Sequence, residues 1–208
     1  MKKKKGFTLS EVLVTITIIG VIAAIAIPTL MNKYRTAEVE SKLKKVFTTL
    51  SQASMNAQAV GYDWGLWAET ANGSSNWNNA DDAAYFYNNY LRPYVSTLKV
   101  ETRGSSVVAI LADGVELSVA KGACIQINAD IDGQKNGPES VYGKDEFIFL
   151  YCGTSTTDRP NSKIIPYGLY HNTTPEQALN TYKSAPAKCA AAIMLNNWKV
   201  PKGYPVSL

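Results

Sequence analysis

The chain has 208 residues, room for one membrane-spanning segment and one domain of ordinary size. Its apolar content of 46% and charged content of 18% exclude a disordered chain. The formal charge of +4 comes entirely from Lys2 to Lys5, so without that run the chain is neutral and nucleic acid is an unexpected partner.

The N-terminus reads Lys2-Lys3-Lys4-Lys5-Gly6-Phe7-Thr8-Leu9-Ser10-Glu11, a basic run, a Gly-Phe junction and then a carboxylate. The apolar stretch that holds this carboxylate ends near Ile27-Pro28-Thr29-Leu30. As a helix, Leu9 to Leu30 is ~33 Å long at ~1.5 Å per residue, enough to cross a hydrocarbon core. Glu11 costs roughly 2.5–3.5 kcal/mol there on insertion scales and therefore calls for a partner. Lys5 is remote and would leave with a leader cut after Gly6. Such a cut creates an amine on Phe7, which sits unfavourably at the positive end of the helix dipole. Glu11 of a neighbouring chain would neutralise it.

This pattern of Lys-rich leader, Gly6-Phe7-Thr8-Leu9-x-Glu11, apolar helix and Pro28 resembles the class III signal of type IV pilins and pseudopilins. The resemblance covers only the segment up to Leu30. It implies that a prepilin peptidase cuts after Gly6 and methylates the amine of Phe7. It also implies that Glu11 directs assembly through a neighbour's N-terminus and that Pro28 bends the helix. The implied partners are the peptidase, a membrane assembly platform, and copies of the chain or other pilins in a helical filament. Ser10 departs from the more usual aliphatic residue.

An ordinary secretory signal would use Lys2 to Lys5, then Val12 to Ala23, and an Ala24-Ile25-Ala26 cleavage site, but Glu11 would interrupt its core. A plain single-pass anchor explains the length and neither Gly6-Phe7 nor Glu11. Lys2 to Lys5 favour a cytoplasmic N-terminus, while Lys33, Arg35, Lys42, Lys44 and Lys45 flank the other end. The cysteines and the resemblance place the C-terminal part outside. The divisions are a leader (1–6), a transmembrane and assembly helix (7–31), an amphipathic continuation (32–60) and an extracytoplasmic domain (61–208).

Leu43, Val46, Phe47, Leu50, Ser54 and Ala57 form a stripe at helical spacing, predicting one long helix from Phe7 to about Ala59 that Gly61 ends. Pro28 frees a carbonyl near Ala24. Residues 61–80 read as a loop whose Trp64, Trp67 and Trp77 would cap the core, contact a neighbour or present a sugar-binding face. Asp81 or Asp82 then caps a short helix through Tyr85, Phe86, Tyr90 and Leu91, stopped by Pro93. Strands are predicted at 107–111 and 115–119 around Asp113-Gly114, at 123–128 and at 146–151. The predicted class is α+β and pilin-like, the long helix packed on a four-stranded antiparallel sheet with a disulfide-stapled C-terminal tail.

Between the last two strands, Asp130, Asp132, Asn136, Glu139 and Asp145 offer oxygens for a structural calcium ion, although an EF-hand would place Gln134 and Lys135 at ligand positions. The competing reading is a turn in which the Asp side chains cap backbone amides. Thr174-Pro175-Glu176-Gln177 marks a capped helix start, and a second short helix, 187–196, is expected to turn Cys189, Ile193 and Trp198 inward. Among Cys124, Cys152 and Cys189, a Cys152–Cys189 bridge would tie the tail to the sheet, resembling by position the C-terminal disulfide region of many type IV pilins. Cys124 is the rival partner or a buried thiol.

No nucleophile constellation is present. His171 is the single histidine, and no Gly-rich phosphate loop follows a strand. Asn72-Gly73-Ser74 and Asn172-Thr173-Thr174 match the glycosylation sequon, a pattern frequent by chance. The function expected is a structural filament subunit. The alternatives are a minor pilin binding a surface, glycan or DNA, and an unrelated secreted domain.

Overall fold

A computed structural model describes residue 6 and residues 8–61, 80–122, 124–133, 140–152, 163–169 and 173–208. They fall into two compact units, one ending at Glu38 and including Leu208, the other Val39–Ser207. Helix α1 (Leu9–Ala59) contributes to both.

In the second unit α1 buries Val39, Leu43, Val46, Leu50, Ala53, Ser54 and Ala57, which recur every three or four residues and so share one face. Burial of Leu43, Val46 and Leu50 contributes about 1.5–3 kcal/mol apiece. Polar contacts along the flanks fix the docking. Lys42 Nζ donates to the Ile131 carbonyl (2.9 Å), Lys45 pairs with Asp113 (2.7 Å), and Gln58 Nε2 donates to the Tyr151 hydroxyl (2.8 Å). Glu40 accepts from Lys199 Nζ (2.6 Å) and from the Val200 N–H (2.9 Å). Gly61, at φ +93°, ends the helix as its spacing predicts, with its N–H on the Gln58 carbonyl.

Helix α2 (Ala80–Phe86) runs into a π-helical turn, Tyr87–Leu91, closed by Arg92 N–H on the Tyr87 carbonyl (2.8 Å). Asp81 and Asp82 lie within the first turn of α2, where their charge suits the dipole, and not at the cap position predicted for one of them. Pro93 follows the turn and cannot donate a helical hydrogen bond.

The sheet is a six-stranded antiparallel meander in the order β1 (Thr97–Arg103), β2 (Ser106–Leu111), β3 (Glu116–Lys121), β4 (Ile125–Asp130), β5 (Glu146–Tyr151) and β6 (Ile164–Pro166). Two strands exceed the four predicted, and both lie at the edges. Leu98, Lys99, Val100, Thr102 and Arg103 of β1 are exposed and give no buried alternation. Strand β6 has three residues and contains Pro166, tolerated because an edge strand needs fewer donors. The Asp113-Gly114 hairpin forms as predicted, Gly114 taking φ +88°. β4 is displaced two residues from the predicted 123–128, and β5 matches.

The inner face of the sheet carries Leu117, Val119, Ile127, Ala129, Phe147 and Phe149, all essentially inaccessible. Phe47 of α1 lies 6.2 Å from Phe149 and 5.1 Å from Trp198, ring centre to ring centre. Helix α3 (Pro175–Tyr182) opens with the predicted capping box, Gln177 N–H on Thr174 Oγ1 (3.2 Å) and Thr174 N–H on Gln177 Oε1 (2.9 Å). A 3₁₀ turn, Pro186–Lys188, leads into α4 (Cys189–Leu195), which buries Cys189 and Ile193 as predicted. Asn197 and Trp198 then adopt left-handed φ of 56° and 61°, an uncommon conformation for a bulky residue, and Trp198 reaches Phe47 from there.

The disulfide joins Cys124 and Cys152, not Cys152 and Cys189. Its cause is register. Ile125 and Tyr151 are partners across β4 and β5, so the next residues outward, Cys124 and Cys152, face each other with Cα atoms 4.5 Å apart. Cys189 is a buried free thiol. No bridge staples the tail. Ala187 instead packs on the apolar cluster of Ile148, Leu150, Cys152 and Ile165, and Glu40 holds Lys199 and Val200.

Reduction of Cys124–Cys152 is expected to lower unfolding stability by about 2–4 kcal/mol. Non-reducing peptide mapping should recover Cys189 as a thiol; a Cys152–Cys189 peptide would contradict the register. Glu40→Ala removes the acceptor of two donors and should cost about 1–3 kcal/mol in chemical denaturation.

Candidate functional site

The N-terminal end of α1 is built around Glu11. Its Oε2 accepts from the Thr8 N–H and from Thr8 Oγ1, both at 2.8 Å, and the Glu11 N–H donates to Thr8 Oγ1 (3.3 Å). That is a capping box, with Thr8 before the first turn and Glu11 at its third position. Sequence reasoning assigned Glu11 only to a neighbour's amine and missed Thr8, although Thr-x-x-Glu before an apolar run is the signal for this motif. The space around Gly6 is open, so a Cβ there would meet nothing, and Phe7 lies outside the described residues.

The hydroxyls of the apolar stretch are satisfied within the helix. Thr15 Oγ1 donates to the Val12 carbonyl and Thr17 Oγ1 to the Leu13 carbonyl, both at 2.8 Å, and Thr29 Oγ1 to the Ile25 carbonyl at 3.5 Å. A polar group so paired can enter hydrocarbon without stranding a donor. The helix is long and apolar enough to cross a membrane, and none of its most apolar window is buried within the chain. Leu13, Ile16, Ile19, Ile22 and Ile25 present more than half of their surface. Pro28 lies inside α1, where its ring nitrogen cannot donate to the Ala24 carbonyl.

Of the residues considered for calcium, Asp130 uses both oxygens in a turn. Its Oδ1 accepts from the N–H groups of Asp132 (3.1 Å) and Gly133 (3.0 Å), and its Oδ2 from Ser140 Oγ (2.9 Å). Asp145 Oδ1 accepts from the Val141 N–H (2.5 Å). Asn136 and Glu139 lie outside the described residues, as do Trp64, Trp67, Trp77 and His171. Among the described residues no group of three or more His, Cys, Asp or Glu side chains is arranged to hold a metal ion. The Asp side chains there act as caps of backbone amides. Gly133 sits so close to the hairpin that a Cβ on it would overlap the Gly114 carbonyl, which is why glycine stands in that turn at φ +66°.

Cys189 is held between Gly143 and the tail. The Tyr204 hydroxyl donates to the Gly143 carbonyl (2.5 Å), and a Cβ on Gly143 would lie 2.8 Å from Cys189 Sγ. Burial pushes the thiol above its usual pKa, against the lowering effect of its hydrogen bond to Tyr204. Little thiolate forms, so Cys189 is a poor nucleophile.

A family model described as a family of unknown function (DUF6613) matches residues 29–208. The chain belongs to that family. The model of the prokaryotic N-terminal methylation motif matches residues 1–27, so the resemblance to a type IV pilin or pseudopilin signal holds. That motif implies processing by a prepilin peptidase. No solved structure matches the chain.

On its outer sheet face this DUF6613 chain carries an unusual row. Glu116 is the register partner of Asp130, and Asp130 of Glu146, which puts three carboxylates side by side across β3, β4 and β5. Like charges directly opposite one another destabilise a sheet. Arg103 offsets one end, its Nη1 2.7 Å from Glu116 Oε1 and its Nη2 3.3 Å from Oε2. At the other end Glu146 has an amide, Asn128 Nδ2 at 2.7 Å. The row lines a pocket of ≈ 230 Å³, with Arg103 its cationic residue among those described. Partial burial raises the Glu146 pKa, opposed by the Asn128 hydrogen bond and reinforced by the charges of Asp130 and Asp145.

A raised carboxyl pKa in the folded state favours the protonated form. Its stabilising contribution is complete below the unfolded pKa and is lost as pH rises through the folded value. Glu146→Gln keeps the acceptor for Asn128 and removes the charge. At pH 7 it should raise the melting temperature and flatten the rise in stability on mild acidification; an unchanged pH profile would show that Glu146 is not the responsible group.

Proposed function

We propose that this protein is a structural subunit of a type IV pilus or a type II secretion-like pseudopilus. The observation that carries the reading is the N-terminus itself: a methylation motif continuous with an apolar helix, with one carboxylate on its first turn. Cleavage after Gly6 and N-methylation of Phe7 would leave a single-span protein in the inner membrane, its disulfide-bearing domain on the oxidising side.

Assembly then moves the apolar surface of Leu9 to Met31 from lipid to neighbouring helices. Lipid is as apolar as leucine, so burial alone gives small net gain in that exchange. A polar term is needed, and Glu11 supplies it. A carboxylate facing the methylated amine of another subunit's Phe7 gains a charge-assisted contact in a medium of low dielectric. Thr8 holds Glu11 in position until that partner arrives, and the same two hydrogen bonds keep the carboxylate from lying unpaired in the precursor.

Mass analysis of the mature N-terminus should find N-methylated Phe7; a chain starting at Ile27 would defeat the reading. Glu11→Ala should leave cleavage intact and lower the filament fraction by at least about tenfold, the loss of roughly 1.4 kcal/mol or more per contact. Normal incorporation would sink the pairing argument.

A further inference from the structure

Beside the carboxylate pocket lies a second concavity that shares Ser140 with it. This groove of ≈ 430 Å³ is apolar, formed by Val141, Tyr142, Pro186, Ala187 and Val206. Val141 and Tyr142 expose 43% and 40% of their surface, high for side chains of their size. The outer face thus presents an apolar trough next to a pocket that has, among the described residues, three carboxylates and one guanidinium, an excess of negative charge. A matching ligand carries an apolar side chain and a cation on one surface.

The chain contains such a segment. On α1, Met31, Tyr34 and Arg35 are spaced i, i+3, i+4 and share a helix face. Met31 and Tyr34 expose 49% and 68% of their surface. Among the described residues, neither Arg35 nor the nearby Lys33 has an ion-pair partner. An uncompensated cation flanked by apolar groups and an uncompensated carboxylate flanked by an apolar groove are complementary in both charge and polarity.

We propose that this two-part surface docks a second copy of the chain, Met31 and Tyr34 entering the apolar groove and Arg35 pairing with Glu146. The inference rests on the filament reading and goes beyond it by naming the faces that meet. Arg35 would supply at the Glu146 end of the row what Arg103 supplies at the Glu116 end. The docked row is then flanked by a cation at each end, which offsets part of the repulsion among its three carboxylates. Electrostatic matching of this kind selects register more than it adds affinity, which suits a surface that must repeat along a filament.

The test uses full-length chains in the assembling cell and reads the filament fraction against the membrane pool. Arg35→Glu and Glu146→Arg should each reduce the filament fraction about tenfold or more, and the two together in one chain should restore it to within about twofold. Glu146→Gln, which is expected to fold at least as stably as the parent, should also reduce it, so loss through misfolding is separated from loss of docking. If the parent assembles and the single reversals assemble equally well, the docking is overturned and the filament reading stands. If the reversals fail and their combination does not recover, Arg35 is not the partner and the surface serves a different one. If the parent is processed and never assembles, the filament reading falls and takes the docking with it.

Discussion

The register of β4 against β5 governs most of what the domain does. Pairing Ile125 with Tyr151 fixes every other pair in that ladder. It places Ile127 and Phe149 together on the inner face, where α1 packs, and Asp130 beside Glu146 on the outer face. It also brings Cys124 and Cys152 together just beyond the strand ends. β5 is apolar on both faces, so the alternation that holds this register is that of β4, where a slip of one residue would turn Ile127 and Ala129 outward and Gln126 and Asn128 inward. Core, covalent bond and charged row are three consequences of one alignment.

That dependence explains which parts could be read beforehand. The stripe Leu43, Val46, Leu50, Ala57 was legible because helical periodicity is local, as were the Asp113-Gly114 hairpin and the Thr174 capping box. The edge strands were not. β1 lacks a buried face and so lacks the alternation that marks a strand, and β6 is too short to show a period. The disulfide was misassigned because pairing of cysteines depends on register between strands, whereas spacing along the chain says little about it. The acidic row escaped for the same reason: Glu116, Asp130 and Glu146 look unrelated until the ladder aligns them. At the N-terminus the order was reversed. Gly6, Phe7 and Glu11 pointed to a methylation signal directly, because a peptidase reads local sequence, and the matching motif over residues 1–27 agrees.

On the proposed filament reading, Glu11 would serve two states. A carboxylate in hydrocarbon must be compensated at every stage, not only at the last. In the single chain it satisfies the Thr8 N–H and hydroxyl, so the exposed first turn is closed. Exchange of that local partner for the proposed cation would be favourable because a charge-assisted contact is stronger than a neutral one. The neutral contact makes the carboxylate tolerable without making it inert. Thr15, Thr17 and Thr29 follow the same logic for their hydroxyls, leaving Glu11 as the polar group with something left to gain.

The charge on Glu146 is harder to justify by folding alone. An amide of the same shape would keep the Asn128 hydrogen bond and avoid repulsion from Asp130 and Asp145. Sheets built for stability place opposite charges or small hydroxyls across from each other. Local choices that oppose the fold are characteristic of functional positions, where an isolated domain is less stable than it could be. Arg103 relieves only the Glu116 end, and two of its nitrogens are already committed there. The unrelieved end lies beside an apolar trough that water covers poorly. A surface with both features is better suited to an occupied state than to solvent, and the groups that would occupy it, a cation and two apolar side chains on one helical face, are present on α1 of every copy.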